Sequence, residues 1–170
     1  MNQKEVIVLG IDPGYDRVGW AIGTRAVSTG TIRHNTLFNC TALGCIQTNK
    51  SESIFSRYQK IQNDLEEIIA YFKPTQLAIE TLFFSKNKKT ALRVSEARGI
   101  IIGSCLKNGL EVFEYDPVTI KLATTGDGAA TKQAVEKMIR LQIAGQINKH
   151  LDDAIDAVAI TLTHCVTRVY

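Results

Sequence analysis

The stretch Glu5-Val6-Ile7-Val8-Leu9-Gly10-Ile11-Asp12-Pro13-Gly14 decides how the rest of the chain is read. Val6, Ile7, Val8, Leu9 and Ile11 form a short apolar run with no polar alternation, which predicts a central strand covered on both faces. Asp12-Pro13-Gly14 ends it. Proline removes a backbone donor and glycine permits positive φ, so a turn follows. A carboxylate thus stands where a buried strand stops.

Working outward, residues 18–24 and 26–33 read as further strands, with Ser28-Thr29-Gly30 as a turn or bulge. A third apolar piece lies at 43–48. Three strands so close in sequence predict an antiparallel meander. Residues 35–41 carry little signal and are placed only as a hairpin or loop. Ile54, Tyr58, Ile61, Leu65, Ile68 and Phe72 recur at spacings of four and three, one face of a helix. Ser51 or Ser53 can cap it, and Lys73-Pro74 ends it. Residues 76–80 form a strand, 85–108 contain a helix stopped by Gly109, and 111–115 form another strand. Asp116-Pro117 opens a helix to Leu122, 124–130 is a Gly- and Thr-rich loop, and 131–141 and 152–166 are helices. The order β-β-β-α-β-α-β-α-α-α predicts an α/β domain with a mixed sheet and helices on its faces.

At 170 residues the chain fits a single domain, residues 1–170. Its 45% hydrophobic and 22% charged residues argue against disorder and a fibrous chain. No apolar run is long enough for a membrane helix. The start, Met1-Asn2-Gln3-Lys4-Glu5, has no basic region followed by an apolar stretch, so a cytoplasmic location is expected. The net charge of +3 permits a nucleic-acid partner without demanding one. Cys40, Cys45, Cys105 and Cys165 are scattered, a poor zinc signature, and are read as thiols that pack.

The acids stand out by position. Asp12 and Glu80 each end an apolar strand, and Asp153 and Asp156 lie three apart, on one face of a helix otherwise built of Ala, Ile and Val. Each has an ordinary reading: Asp12 as an Asx-turn residue, Glu80 as a strand-end charge, Asp153 as a helix cap. Asp156 is harder to explain that way, because a charge among apolar residues is expensive unless paired or bound to metal. Four acids at the ends of core elements suggest convergence. Two like charges at about 4 Å repel by about 4 kcal/mol at an effective dielectric of about 20. Magnesium, or manganese in its place, would relieve that repulsion through oxygen ligands. Two such ions about 4 Å apart suit in-line attack on a phosphodiester. His34, His150 and His164 form no obvious triad with Ser or Cys.

Residues 85–140 carry ten basic against six acidic side chains, a local surplus above that of the whole chain. Lys86-Asn87-Lys88-Lys89 follows Phe83-Phe84 directly. Rings beside cations can stack on bases while the cations hold phosphates. A solvated basic loop with two anchoring rings is the plainer reading.

Leu9-Gly10-Ile11-Asp12-Pro13-Gly14, Gly19, Ala78-Ile79-Glu80, Phe83 with Lys86-Asn87, Ala97-Arg98-Gly99, Val112-Phe113-Glu114-Tyr115, and Asp153-x-x-Asp156 with Thr163-His164 together resemble the RuvC family of Holliday junction resolvases. The resemblance covers nearly the whole chain. It implies an RNase H-like nuclease domain, α/β with a five-stranded mixed sheet flanked by helices on both faces. It also implies a homodimer that resolves four-way DNA junctions in recombination and repair by paired symmetric nicks, with two magnesium ions per site. Its catalytic and metal-binding acids fall on Asp12, Glu80, Asp153 and Asp156. Its assisting lysines fall on Lys121 and Lys132, and its junction-core aromatic falls on Phe83. DNA contacts are expected from Phe83, Lys86, Lys88, Lys89, Arg98, Lys121 and Lys132, and a branch-migration helicase as a partner. The segment 24–45 looks long for the family, which suggests an extended or bulged hairpin. The doublet Asp152-Asp153 leaves the third acid ambiguous by one position.

Three rivals are weaker. An RNase H-like nuclease acting on structured RNA, such as ribosomal RNA precursors, fits the 83–89 segment less well. A sugar-kinase or actin-like ATPase shares the opening but needs two lobes. A junction-binding protein without catalysis would not need all four acids.

Overall fold

The computed structural model describes residues 6–25, 38–82, 88–143 and 152–167, with the side chains of residues 25, 88, 89, 152 and 153 outside that description. The chain runs β1 (Ile7–Asp12), β2 (Arg17–Arg25), β3 (Phe38–Gln47), α1 (Ile54–Phe72), β4 (Gln76–Glu80), α2 (Lys88–Lys107), β5 (Glu111–Tyr115), α3 (Pro117–Thr125), α4 (Lys132–Gln142) and α5 (Asp152–Thr167), the order the sequence predicts. Among the described residues the strands form one sheet ordered β3-β2-β1-β4-β5. β1 sits at its centre, as its uninterrupted apolar run requires. It pairs antiparallel with β2 and parallel with β4, and β5 extends the parallel half.

Strand parity sorts the core into two layers. Leu9, Ile11, Leu77 and Ile79 point to one face and pack with Tyr58, Ile61 and Leu65 of α1 and Ala97 and Ile101 of α2. Val8, Ala78, Phe113 and Tyr115 point to the other and pack with Ile120, Val135, Ile139 and the apolar side of α5. Gly10 lies between Val8 and Asp12 on the α5 face. A Cβ there would stand 1.9 Å from Thr161 Oγ1 and 2.7 Å from the Ala157 carbonyl oxygen. Glycine therefore lets α5 rest directly on the backbone of the central strand.

Ser53 caps α1 by accepting from the Ser56 amide, and Lys73 ends it in the left-handed region. Gly109 stops α2 with φ 79°, a conformation that favours glycine. Asp116 caps α3, accepting from the Val118 and Thr119 amides. That helix runs three residues beyond the predicted end, to Gly126 as its left-handed cap. Cys40 and Cys105 are buried, and burial pushes their thiols up to about 11 and about 12, so these two pack as expected.

The early meander differs from expectation. Residues 38–41, read as loop, are the first part of β3. The register of β2 against β3 slips between Ile22–Ala42 and Gly23–Cys40, leaving Thr41 as a bulge. The extra residue breaks the alternation by which a strand is recognised. The strand expected at 26–33 lies outside the described residues.

The α5 contact generates a test. Gly10→Ala should lower stability by about 1–3 kcal/mol through overpacking, read as a lower urea midpoint at unchanged slope. Adding Thr161→Ala should recover only part of it, because the Ala157 carbonyl stays in place. Equal midpoints for Gly10→Ala and wild type would show that the helix does not rest there.

Candidate active site

Parity and register together assemble the acids. Ile11 pairs with Ile79, so the residues that end β1 and β4, Asp12 and Glu80, are neighbours on adjacent parallel strands. Both follow small residues on the α5 face, Gly10 and Ala78. Asp156 lies on α5 one residue before Ala157, whose carbonyl abuts Gly10. Asp12, Glu80 and Asp156 consequently line one open cavity of about 350 Å³ with Lys121, Lys132, Pro117, Ile120, Val135, Ala159 and Ile160. The expected convergence is present for these three acids.

The charges in the cavity are strained and partly compensated. Burial raises the Glu80 carboxyl above its ordinary pKa, repulsion from Asp156 raises it further, and Lys132 opposes both. Lys132 Nζ donates to Asp156 Oδ2 at 2.5 Å. That hydrogen bond raises the lysine's pKa despite partial desolvation, with Asp156, Asp12 and Glu136 adding attraction. Thr131 fixes the start of α4 by accepting from the Ala134 amide, which places Lys132 as the first residue of that helix. Lys121, in the middle of α3, faces the same cavity.

Other expected residues are distributed differently. Arg98 of α2 comes from the opposite face of the sheet: its Nε donates to the main-chain oxygen of Glu80 at 3.2 Å and its Nη2 pairs with Glu114. Phe83 and Lys86 lie outside the described residues. Lys88 and Lys89 begin α2, and Asp152 and Asp153 begin α5, but these four side chains are outside the description. Asp152 is the first residue of α5, which places Asp153, read as a possible cap, one position inside the helix.

Two features were missed in the sequence. Ile120, Val135, Ala159 and Ile160 give the cavity an apolar wall. Arg57 of α1 is 7% exposed. It donates to Thr48 Oγ1 and the Tyr15 carbonyl, each at 2.9 Å, and pairs with Asp16, gripping the turn that follows Asp12. A signal existed, since Arg57 falls within the apolar stripe of its helix, between Ile54 and Ile61. His164 is buried in a network with Tyr115 Oη at 2.7 Å and Gln76 Oε1 at 2.8 Å.

The donors suit a hard divalent cation: all are carboxylates, they share an open cavity, and Glu80 is short of positive charge. Among the described residues no three His, Cys, Asp or Glu side chains form a finished cage. Asp153, the fourth expected donor, lies outside that set.

The raised Glu80 carboxyl has a consequence for stability. Its charge costs folding energy above its unfolded pKa, and the cost is complete once pH exceeds the raised folded value. Glu80→Gln should therefore melt higher than wild type at neutral pH with chelator, and the gain should vanish at acid pH, where both side chains are neutral. A lower melting temperature at neutral pH would mean that Glu80 is stabilised as an anion instead.

A sequence profile described as crossover junction endodeoxyribonuclease RuvC matches residues 8–164. The protein of that name from Pseudothermotoga lettingae is 38% identical over 163 residues, covering 96% of each chain. That from Brachyspira hyodysenteriae is 41% identical over 159 residues, covering 94% of this chain and 93% of its own. The structure of T. thermophilus RuvC in complex with Holliday junction substrate matches with a TM-score of 0.80 at 28% identity, covering 94% of this chain and 92% of that one. The yeast mitochondrial Holliday junction resolvase Ydc2, at 14% identity and a TM-score of 0.62, shares the fold. The mixed sheet with helices on both faces is thus the expected RNase H-like arrangement, and the chain belongs to the RuvC family of crossover junction endodeoxyribonucleases.

Proposed function

We propose that this chain is a structure-selective DNA endonuclease that resolves four-way junctions by paired symmetric nicks, in recombination and repair. The observation that carries the reading is the meeting of Asp12, Glu80 and Asp156 with Lys121 and Lys132 on one open cavity. Paired nicks need two such sites, so the working form is assigned as a homodimer, with a branch-migration helicase as partner and the cytoplasm as location. The whole chain, residues 1–170, is read as one nuclease domain.

Asp12, Glu80, Asp156 and Asp153 are the donors assigned to magnesium, two ions per site, with manganese as a substitute. Bound divalent cations supply Lewis acidity, lowering the pKa of the attacking water and stabilising the leaving 3′ oxygen. The protein does the rest. β1, β4 and α5 hold the carboxylates so that their mutual repulsion is relieved only by positive charge. Lys132, hydrogen-bonded to Asp156, and Lys121 place fixed cations where phosphate charge develops. The apolar wall of Ile120, Val135, Ala159 and Ile160 lowers the local dielectric and strengthens each of these interactions. Phe83 is assigned to stacking at the junction centre, and Lys86, Lys88 and Lys89 to phosphate contacts beside it.

A cleavage panel tests the reading. Wild type with magnesium should nick a synthetic four-way junction symmetrically, and leave duplex DNA, an RNA–DNA hybrid and structured RNA largely uncut. Asp12→Asn, Glu80→Gln and Asp156→Asn should lose cleavage by several orders of magnitude while still binding the junction. Preferential cutting of structured RNA would move the chain to the rival nuclease class.

The doublet at the start of α5 has its own test. Asp153→Asn should abolish cleavage and leave the fold intact, whereas Asp152→Asn should change neither. The reverse result would shift the assigned donor by one residue.

A further inference from the structure

Arg98 sits on the wrong side of the sheet for the cavity. α2 packs on the face of Leu77 and Ile79, while the side chain of Glu80 points to the face of α5. Arg98 nevertheless reaches the active-site strand through its backbone: Nε donates to the Glu80 carbonyl oxygen at 3.2 Å. Its Nη2 is anchored by Glu114 on β5. The Arg98 side chain is 17% exposed and Glu114 52%, so the guanidinium is turned inward and its anchor stands at the surface. The fully buried Ala97 seats this turn of α2 on the sheet.

The carbonyl it holds is the last of β4. Just beyond, the Thr81 amide donates to the Tyr115 oxygen at 2.9 Å, which ties the strand end to β5. Glu80 carries a carboxylate that Asp156 repels inside a partly buried cavity. At the end of a strand such repulsion can be relieved by backbone displacement, because beyond Glu80 the ladder that holds the strand interior thins out to the Thr81 bond. Arg98 supplies resistance at that residue. A guanidinium can do this because it holds two donors in a fixed fork, one for the carbonyl and one for the anchor. Lysine has the charge and lacks the fork.

We propose that Arg98 is a positioning residue that fixes the backbone of Glu80 from behind the sheet, with Glu114 as its anchor, and is not a phosphate contact. The inference rests on the reading of Glu80 as an active-site carboxylate. It links α2, which follows the Phe83–Lys86 segment assigned to the junction, to the geometry of the cavity.

The decisive variants are Arg98→Lys and Glu114→Gln, measured three ways. Calorimetric titration of the DNA-free protein with Mn²⁺ should show affinity lower by about tenfold to a hundredfold, the range seen when the supporting shell of a metal site is removed. Magnesium-dependent cleavage at saturating junction should fall by a similar factor. Junction binding without divalent metal should keep the wild-type affinity and salt slope. A phosphate contact behaves in the opposite way: Arg98→Ala would lower the slope of log K against log salt by about 0.9, and Arg98→Lys would restore it. That result overturns the proposal. So does wild-type Mn²⁺ affinity in folded Arg98→Lys, even with a lower melting temperature, since the arginine would then be merely structural. Glu80→Gln runs alongside: normal cleavage by that variant removes the reading of the site and this proposal with it, whereas inactive Glu80→Gln beside fully active Arg98→Lys removes this proposal alone.

Discussion

The contact between α5 and the bare backbone of β1 is the constraint on which the rest depends. A helix normally stands off a sheet by the depth of two layers of side chains. Here one layer is missing at Gly10, and the Ala157 carbonyl and Thr161 hydroxyl occupy its space. The helix also abuts Gly23 of β2, where a Cβ would meet Thr161 Cγ2 at 2.8 Å. Seated this low, α5 carries Asp156 into the cavity that receives Asp12 and Glu80. Catalytic geometry tolerates displacements of well under an ångström before rates suffer. A spacer as small as a methyl group beneath the helix is therefore a functional matter as well as a packing one.

Set against that tight seat is an electrostatic arrangement that works against the folded state. Glu80 is raised by burial and by Asp156, and Lys132 answers only part of the charge. Such local conflict marks places where binding or chemistry, rather than stability, has set the residues. Arg57 shows the contrasting case. It is a buried charge whose donors are met by Thr48, Tyr15 and Asp16, so it stiffens the turn after Asp12.

The element order and the central place of β1 were legible because apolar runs and helical periods are strong, local signals. Asp12 and Glu80 were legible for the same reason, each being a charge that ends such a run. Residues 38–41 were not, because the Thr41 bulge breaks the period by which a strand is recognised. The direction of the arginines was also hidden. Sequence gives Arg98 a charge, but only register and the packing of α2 show that its guanidinium meets the back of Glu80. The apolar cavity wall drawn from α3, α4 and α5 comes from elements distant in sequence, which no local pattern reveals.

The Thr41 bulge also behaves like a compensating frameshift. Phe38 and Cys40, at even positions, face α5, and so does Leu43, at an odd one; Ala42 and Ile46 face α1. One added residue has exchanged the two faces of everything on one side of it, and the strand on each side remains in phase with β2. Length changes between β2 and β3 can thus be absorbed on the far side of the bulge without inverting residues 42–47. Those residues pair with the part of β2 that lies against Ile11 and Asp12. The reading frame of the strands nearest the carboxylates is accordingly set by residues 42–47 and is insulated from a change of length beyond Cys40.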